Sequence, residues 1–556
     1  STQGVSSAAS DVYKRQWLLY AYPSFCILRL TFQILTSKYS NMFSNLYRKI
    51  THFLLLLGVG FSMILVSCND FLNVESKRIA KEDQQWSTLE DTRAALMGVY
   101  GLMRAALVEN NAYWICGDLR GGDFSVTDRL DLQAVVDNNL NEPFPIMKEI
   151  SNWRRFYAVI NAASIFIEKA PGTFEKDKSY SEENLMLDIA QARVLRAFAY
   201  FNMVRIWGDV PLVTYSYDNG SFPRMERTDA SLVLSYAKEE LENALTVLPF
   251  QLGSKTSLYY GKEGKDWQGI LLNKLSVYAI LAHIAAWEGN YLNAETYAAY
   301  IMDNASRVEA KYIGVADLTS SQGLFLTNSD WRVSRIVGLT FDHNESEASQ
   351  NGHLEELTLA APLVQKSTPD IYVSKDSLFS IFNNVDDQRF GIDSKSGKYY
   401  TSYVHNVESQ YPIFSKIKVI QNGNPTTNDY AIFGSALVFS RLEDITLLRA
   451  EALCAINQPE QALVHLNTIR TARGMSAVSY KKDFNSDKSK VIQAVFEERR
   501  KELMGEGWRW YDRIRQEKLL NNDTKLRKLI NEGGIYWPID QDILTNSMIE
   551  QNTYWQ

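Results

Sequence analysis

The 556-residue chain carries 58 Lys and Arg against 65 Asp and Glu, which gives a formal net charge of −7. Its hydrophobic content of 46% can bury one large core or several smaller ones. A nucleic-acid partner would call for a basic surface, so this balance argues against that class of function.

Residues 1–41 fit no part of a folded protein. They precede a basic stretch that begins at Met42, and residues 7–16 resemble translated sequencing-adapter sequence. The alternative is a membrane segment at 17–35, but a proline and an arginine interrupt it. We interpret 1–41 as an artefactual upstream extension and exclude it from fold reasoning.

Residues 42–67 have the layout of a lipoprotein signal peptide. A short basic stretch precedes an apolar run from 53 to 66, which is too short to span a bilayer comfortably. The run ends in Leu65-Val66-Ser67-Cys68, which resembles a bacterial lipobox with a small residue before the acylated cysteine. We expect Cys68 to carry the lipid. An ordinary signal peptide or anchor helix that ends in cysteine is the alternative.

Cysteine and histidine usage predicts no metal or cofactor site. Cys116 and Cys454 could pair in an oxidising compartment, but their spacing does not show it. Cys454 lies in a helical apolar pattern, which is typical of a buried free thiol. No two histidines have the helical spacing of metal ligands, and the chain contains no phosphate-binding loop.

Three apolar patterns with helical spacing follow along the chain. The first runs from Leu187 to Val204 and is expected to end at Gly208, because Pro211 prevents its continuation. The second covers 271–301 with a break at 289–290, and the third covers 445–469 with a break at 457–459. Each of the last two predicts a pair of helices joined by a short turn.

The second and third patterns are related to each other. Aligning Ala282 with Ala450 places Ala294 on Ala462. Small residues at matching places let paired helices approach closely, which is the logic of a tetratricopeptide unit. We predict tetratricopeptide-like helix pairs near 152–207, 271–302 and 443–470. Chance similarity between antiparallel helix pairs is the alternative.

Loop-rich stretches separate these helices. They mix glycine, polar and aromatic residues over 212–228, 250–268 and 313–435. Long irregular segments in a compact protein often carry binding residues. The alternating runs at 334–341 and 413–420 indicate short strands.

Five sequence blocks resemble the SusD/RagB family of nutrient-binding outer-membrane lipoproteins. They stand in the family's order, and the resemblance covers roughly 68–556. The blocks are Cys68-Asn69-Asp70-Phe71-Leu72, residues 196–212 (RAFAYF to WGDVPL), residues 441–470 (RLED, RAEA and LNTIR), residues 498–515 (ERRKEL and EGWRWYDRIR), and the closing Trp537-Pro538-Ile539 with Gln551-Asn552.

The resemblance implies a mainly α fold in a single SusD-like domain over 68–556. Tetratricopeptide-type helix pairs would form an α/α superhelical scaffold beside a loop-rich half with short strands. Members of the family bind oligosaccharides, or in some cases peptides, at the cell exterior. They are held in the outer membrane by a lipid anchor and deliver cargo to a TonB-dependent, SusC-like transporter.

The charged block at 498–515 has two interpretations. Glu502 and Glu506 could be the acid and base of a glycoside hydrolase. Arginines recur beside them at helical spacing, however, and carboxylates flanked by arginines stay ionised, which disfavours a general acid. We predict an ion-pair network that pins the helix to the scaffold, and the same for Arg441, Glu443, Arg449 and Glu451. No catalytic residue is assigned.

Aromatic residues with polar neighbours on loops are the predicted ligand contacts. The chain has 67 aromatic residues, from 12 Trp, 30 Tyr and 25 Phe, and sugar rings stack on such faces while hydroxyls seek polar groups. Core packing is the alternative for each. The candidate clusters are Asn111, Tyr113, Trp114, Asp118, Arg120 and Asp123; Trp331 with Asp342, His343 and Asn344; and Tyr399, Tyr400 and Tyr403.

Three functions therefore stay open from the sequence. The first is a glycan-binding lipoprotein partnered with a transporter, the second is the same scaffold binding peptides or another nutrient, and the third is an enzyme or a structural repeat protein. Aromatic loops with polar neighbours suit both kinds of cargo.

Overall fold

The computed structural model describes residues 86–217, 224–423 and 430–556. The interpretations of 1–41 and 42–67, and the lipidation of Cys68, concern residues outside these ranges. The described chain is mainly helical, as predicted, with a few very short strands. No helix within the described ranges is long and apolar enough to cross a membrane.

Twenty α-helices follow one another along the described chain. The first ten are α1 Leu89–Val108, α2 Ala112–Gly117, α3 Leu130–Val136, α4 Pro145–Ser151, α5 Arg154–Lys176, α6 Glu182–Trp207, α7 Ala230–Leu245, α8 Gly264–Trp267, α9 Lys274–Glu288 and α10 Tyr291–Asn304. The others are α11 Val315–Thr319, α12 Leu354–Thr358, α13 Lys375–Ile381, α14 Leu442–Ala455, α15 Pro459–Ala472, α16 Tyr480–Phe484, α17 Lys488–Glu502, α18 Arg509–Leu520, α19 Thr524–Glu532 and α20 Gln541–Asn546.

The long helices form a run in which each packs against the next. The order of contact is α1, α5, α6, α7, α9, α10, α14 and α15, and α17 packs on α14 and α18. Helix α6 is buried on every side from Val194 to Trp207. A helix that is buried all round lies in the middle of a core, and α6 takes that place between α5 and α7, with Arg196, Asn202 and Arg205 among its buried side chains.

Helix α6 begins and ends where the sequence predicts. The Ser181 side chain accepts a hydrogen bond from the Asn184 N–H at its start. Gly208 closes it with φ 76°, a backbone conformation that favours glycine, and Pro211 follows. The chain therefore leaves the core abruptly into the segment that starts at Asp209.

Helix pairs are present at all three predicted places, as α5–α6, α9–α10 and α14–α15. Ala282, Ala294 and Ala452 share one buried cluster with Leu448, which joins the second pair to the third. Ala450 packs inside the third pair with Ala462. The aligned alanines thus lie at helix contacts, while the tetratricopeptide character of these pairs stays a prediction.

In the described ranges, eight short strands form four two-stranded antiparallel sheets. They are β1 Ser125–Val126 with β3 Ile371–Tyr372, β2 Arg335–Leu339 with β8 Leu437–Arg441, β4 Val404–His405 with β5 Ile413–Phe414, and β6 Ile420–Asn422 with β7 Ile432–Phe433. The run at 334–341 contains β2, as predicted. The run at 413–420 contains β5 and the first residue of β6, which pair with different partners.

The charged block at 498–515 is a buried ion-pair network that bridges two helices. Its helix is not continuous: α17 ends at Glu502 and α18 starts at Arg509, with Gly505 and Gly507 at φ near 80° between them. Glu502 contacts Arg389 at 3.0 Å, Arg441 at 2.9 Å and Arg473 at 2.6 Å.

Further pairs extend the network to neighbouring elements. Glu506 contacts Arg441 at 2.9 Å and Lys416 at 2.5 Å. Arg499 contacts Asp444 at 3.1 Å and Asp512 at 3.0 Å. Burial by itself would raise the pKa of the Glu502 carboxyl, but the three arginines hold it well below its usual value. An ionised carboxylate with no bound proton is unsuited to general-acid catalysis.

The two cysteines of the described chain are both buried and form no disulfide with each other. Cys454 packs in the core of the third helix pair, as its helical pattern indicates. Burial raises the pKa of the Cys116 thiol to about 12, so it is protonated and unreactive at neutral pH.

Candidate functional site

The predicted cluster at 111–123 does not lie on an exposed loop. Trp114 is 4% and Tyr113 6% exposed, and their rings meet edge to face at 5.6 Å. The side-chain amide of Asn111 donates to the His353 carbonyl at 2.8 Å. A Cβ on Gly507 would lie 2.2 Å from the Tyr113 ring, so this ring fills the gap that the glycine leaves. The expectation that these residues contact ligand is corrected: they are core residues.

The charged members of that cluster are structural as well. Arg120 donates to the Gly534 carbonyl and to Asn138, and its guanidinium lies over the Trp510 ring at 4.3 Å. Asp123 accepts from Arg500 and lies 3.1 Å from Arg509.

Asp118 fastens the same segment to the C-terminal helices. Its carboxylate accepts from the Gly507 N–H at 2.5 Å, and burial raises its pKa to about 7. These polar side chains therefore tie the N-terminal segment to the connection between α17 and α18, and the expectation of ligand contact is corrected for them too.

The second predicted cluster stays at the surface. Trp331 is half-buried, whereas His343 and Asn344 are exposed. The two parts of the cluster are held together because the Asn328 amide donates to Asp342 at 3.0 Å. Trp331 and Asn344 remain predicted contacts.

The third predicted cluster contains two half-buried tyrosines and one that is fully buried. Tyr399 and Tyr400 are half-buried, and the Tyr399 ring stacks on Phe390 with an interplanar angle of 2° at 5.4 Å. Tyr403 is fully buried, with its hydroxyl directed at the Glu502 carbonyl at 3.4 Å. The expectation of ligand contact is corrected for Tyr403, while Tyr399 and Tyr400 remain predictions.

A cavity of about 500 Å³ lies where the start of α5 meets the C-terminal segment, and we call it the Tyr157 cavity. Its volume is within the range of small-molecule sites. It is lined by Trp153, Arg154, Tyr157, Ala158, Asn161, Pro211, Tyr217, Arg224, Met225, Ile543, Asn546, Ser547 and Ile549. None of the residues predicted from the sequence lines it.

Three aromatic rings shape the cavity. Trp153 is buried and packs edge to face on Trp207 at 6.0 Å, and Tyr157 packs on Trp153 at 6.1 Å. The Tyr157 hydroxyl donates to the Pro211 carbonyl at 2.6 Å, which fixes its ring against the segment that leaves α6. Tyr217 supplies the third ring, and its neighbour Tyr215 is 55% exposed. Such fixed rings offer flat apolar faces at low entropic cost.

Two side chains of α5 hold the segment that carries Tyr217. The Asn161 amide accepts from the Tyr217 N–H at 2.7 Å and donates to its carbonyl at 3.1 Å. Glu168 accepts from the Ser216 N–H at 2.8 Å. Because the Asn161 amide is committed to this backbone, Asn161 positions the site and is not a ligand contact.

The chain is also held at Val210 and at residues 227–228. Val210 and Thr228 pair through their backbones, and Arg227 donates to the Asn552 side chain at 2.6 Å.

Burial, followed by the hydrogen bond to Tyr215, raises the pKa of Tyr217 to about 12, so its phenol is neutral.

The charged groups that line the cavity are both arginines. Arg154 and Arg224 are exposed, and none of the described lining residues is acidic. Arg154 is the first residue of α5. A ligand in the cavity therefore meets aromatic faces and two guanidinium groups, while Asp542 of helix Gln541–Asn546 lies close enough to Arg154 for their charges to interact.

A second cavity, of about 590 Å³, lies across α20, and we call it the Trp555 cavity. Ile543 and Asn546 of α20 face the Tyr157 cavity, while Gln541 and Asp542 face the Trp555 cavity. An ion pair between Lys148 and Asp542 at 2.8 Å crosses beside this short helix. Helix α20 thus separates the Tyr157 cavity from the Trp555 cavity.

Sequence reasoning missed the Tyr157 cavity because its parts come from distant segments. The available signal was the Tyr215-Ser216-Tyr217 run in the loop-rich stretch 212–228, directly after α6. In the sequence, Trp153 and Tyr157 cannot be told from ordinary core residues at the start of a helix. Only the packing of residues 543–549 against α5 makes them the walls of a cavity.

The lining of the cavity carries groups that suit the binding of sugars. Hydrolysis of a glycoside by the common route needs two carboxyl groups across the scissile bond, and the described residues lining this cavity supply none. Within the described ranges, no group of three or more His, Cys, Asp or Glu residues is placed to hold a metal ion. Flat rings flanked by hydrogen-bond donors match the apolar faces and hydroxyls of sugars.

Comparison with known proteins identifies related chains. A model described as the SusD family matches residues 285–532, and one described as starch-binding associating with outer membrane matches 70–261. A SusD-like protein of Formosa agariphila is 26% identical over 532 residues, covering 90% of this chain and 97% of the relative.

Solved structures are similar over nearly the same span. A SusD superfamily protein from Bacteroides thetaiotaomicron is 61% identical, with a TM-score of 0.80, and the match covers 85% of this chain and 100% of that one. A laminarin-binding SusD-like protein shares the fold at 20% identity, with a TM-score of 0.61 over 84% of this chain and 99% of that one.

Proposed function

This chain belongs to the SusD family, and from that membership and the Tyr157 cavity we propose that it is a cell-surface lipoprotein that binds oligosaccharides. It captures a glycan and delivers it to a TonB-dependent, SusC-like transporter of the outer membrane. The observation that carries the proposal is the cavity of about 500 Å³ walled by Trp153, Tyr157 and Tyr217.

Binding follows from the properties of the cavity walls. The C–H faces of sugar rings pack on Tyr157 and Tyr217, whose orientations are fixed by hydrogen bonds to neighbouring backbone and side chains. Arg154 and Arg224 donate hydrogen bonds to ring substituents. Because the walls are fixed before a ligand arrives, little conformational entropy is lost on binding.

Capture without cleavage is the second part of the proposal. The clustered carboxylates that first suggested a hydrolase, Glu502 and Glu506, are at most 3% exposed and are committed to arginines and a lysine. They cannot reach a glycan at the surface. The protein therefore releases its cargo intact.

The Tyr217→Ala variant tests the site. The Asn161 hydrogen bonds to the Tyr217 backbone do not involve its ring, so the segment keeps its place when the ring is removed. We expect affinity for the glycan found on an array to fall about tenfold or more, since a stacked ring contributes on the order of 1 kcal/mol beyond its burial.

The matched control is Tyr430→Ala, because this tyrosine is 81% exposed and lies outside the cavity lining. The glycan affinity of the Tyr430→Ala variant should equal that of the wild type. Unchanged affinity in Tyr217→Ala would move the site to Trp331 or Tyr399. Selective binding of peptides in place of glycans would establish the other cargo class.

Anchoring rests on Cys68, in a segment that the structure does not describe. The Leu65-Val66-Ser67-Cys68 sequence supports lipidation, and a matching family model is described as associating with the outer membrane. Cys68→Ala should accumulate as a precursor that is absent from the cell surface. Normal processing and surface display of this variant would contradict the lipoprotein proposal.

Delivery requires a partner barrel. Purification of the lipidated protein from outer membranes in mild detergent should recover a TonB-dependent transporter in stoichiometric amount. Recovery of the protein alone, with the transporter present in the same membranes, would contradict the delivery step and leave glycan binding intact.

A further inference from the structure

We propose that the Tyr157 cavity selects glycans that carry an anionic group, either the carboxylate of a uronic acid or a sulfate ester. The proposal rests on the proposed function, because it names the class of glycan that the same cavity takes. Both groups present charged oxygens that accept hydrogen bonds from guanidinium.

The first support is that the guanidinium groups of Arg154 and Arg224 are accessible to a ligand. Both side chains are exposed at the cavity, and within the described ranges neither forms an ion pair. Asp542, whose charge acts on Arg154, is itself paired with Lys148 at 2.8 Å. The neighbouring Arg155 is different: its guanidinium donates to the carbonyls of Ala106 and Ile150, so it holds the fold together. Arg154 has no such structural task.

The second support is the placement of the cavity at the start of α5. Arg154, Tyr157, Ala158 and Asn161 all belong to the first two or three turns of this 23-residue helix. The partial positive charge of a helix N-terminus acts within the first turn, where Arg154 and Tyr157 lie, and adds there to the charge of Arg154. An anionic group in the cavity would meet two guanidinium groups and this end of the helix.

The third support is the contrast with the surroundings. The Trp555 cavity on the other side of α20 is lined by Glu142, Glu149, Asp540 and Asp542, with Lys148 as its single described cation. Glu109 and Glu149 share a smaller cavity with Arg154, yet form no ion pair with it in the described chain. The whole chain has a net charge of −7, so its overall field repels an acidic glycan.

The two arginines favour the binding of an acidic glycan over that of a neutral one. A neutral glycan gains little from them beyond ordinary hydrogen bonds, whereas an acidic glycan gains charge-assisted ones that are about twice as strong. The arginines therefore set which glycans the cavity retains, and the rings hold any glycan that enters. Affinity for an acidic glycan should also fall with salt, because the guanidinium groups are solvent-exposed.

The experiment compares three oligosaccharides of equal length by calorimetric titration of the whole mature protein: an oligogalacturonate, a sulfated galactan fragment and a neutral β-glucan fragment. At least one of the acidic pair should bind about tenfold more tightly than the neutral one, and which of them does so distinguishes carboxylate from sulfate. The advantage should shrink at 0.5 M NaCl, where the screening length falls to a few ångströms.

The variants Arg154→Gln and Arg224→Gln should each lower the affinity for the acidic glycan about tenfold. They should lower the affinity for the neutral glycan by a clearly smaller factor, because only an ordinary hydrogen bond is lost there. Lys528→Gln is the matched control, since this lysine side chain is 72% exposed and lines neither cavity, and it should not weaken binding.

Two results would overturn the inference. Equal wild-type affinity for the acidic and neutral glycans is one, and an equal loss for both glycans in the arginine variants is the other. The Tyr217→Ala variant separates this failure from that of the proposed function. If it still lowers the affinity for the neutral glycan about tenfold or more, the cavity is a glycan site without acidic preference. If it changes no affinity, the cavity is not the site: the inference fails, and the glycan site moves to Trp331 or Tyr399.

Discussion

In the variant Glu502→Gln, one carboxylate oxygen becomes an amide nitrogen at the point where three guanidinium groups converge. Arg389, Arg441 and Arg473 approach this carboxylate at 3.0, 2.9 and 2.6 Å, and all four side chains are at most 1% exposed. The new amide would present hydrogen-bond donors to donors, and one negative charge would be lost from a region that water does not reach.

The loss in the free energy of unfolding depends on which carboxylates the three arginines still contact in the variant. Removing one partner of a buried ion pair typically costs about 3–5 kcal/mol. Arg389 keeps Glu498 at 2.6 Å, and Arg441 keeps Glu506 at 2.9 Å. Because these carboxylates still compensate part of the charge, we expect a loss near the lower end, about 3 kcal/mol.

Urea unfolding followed by tryptophan fluorescence measures this loss as a difference in the free energy of unfolding. The matched control is Glu408→Gln, which breaks a surface pair with Lys375: the Glu408 side chain is 72% exposed, so its loss should cost less than about 1 kcal/mol. Glycan affinity should be the same in both variants and in the wild type.

Acid should reduce the difference between Glu502→Gln and the wild type. The folded-state pKa of Glu502 lies below its unfolded value of about 4.3. Its contribution to stability is therefore present above that pH and disappears as pH falls through the folded-state pKa. A loss no larger than that of Glu408→Gln at neutral pH would refute the network account, and glycan cleavage that vanishes in Glu502→Gln would replace it with a catalytic one.

Three further predictions concern the core. Ala282→Phe and Ala450→Phe should each overpack a helix contact at a cost of about 1–3 kcal/mol, seen as a lower thermal midpoint, and unchanged midpoints would mean that these helix contacts tolerate a ring. Trp114→Ala should cost about 3–5 kcal/mol without changing the affinity for glycan, and reduced affinity in a stably folded variant would place that ring at the ligand. Burial raises the pKa of Glu355 to about 7, so the wild type should lose stability as pH rises from about 4.3 towards 7. Glu355→Gln should escape this loss, and its stability relative to the wild type should rise between pH 5 and 8; a pH-independent difference would contradict it.

The sequence was informative where local rules decide the structure. The end of α6 follows from Gly208 and Pro211, and the helix pairs follow from apolar spacing with breaks at turn residues. The assignment of the charged block to an ion-pair network needed only the spacing of arginines and glutamates. The spacing does not predict the break at Gly505 and Gly507, because the close approach of the Tyr113 ring to Gly507 depends on tertiary packing.

Burial of the 111–123 cluster was beyond the reach of local reasoning. Trp114 and Arg120 have the composition of a ligand loop, with glycines and polar residues nearby. What buries them is the C-terminal segment, whose carbonyl at Gly534 accepts from Arg120 from 414 positions away. The Tyr157 cavity was missed for the same reason, since Ile543 and Ile549 reach it from the far end of the chain.

A crystal structure of the mature protein with an oligosaccharide that it binds on a glycan array would show where the glycan lies and whether it is intact. We expect an intact glycan in the Tyr157 cavity, with a sugar face against Tyr157 or Tyr217 and a substituent within hydrogen-bond distance of Arg154 or Arg224. A glycan that lies on Trp331 or Tyr399 instead, or one found cleaved, would contradict this expectation.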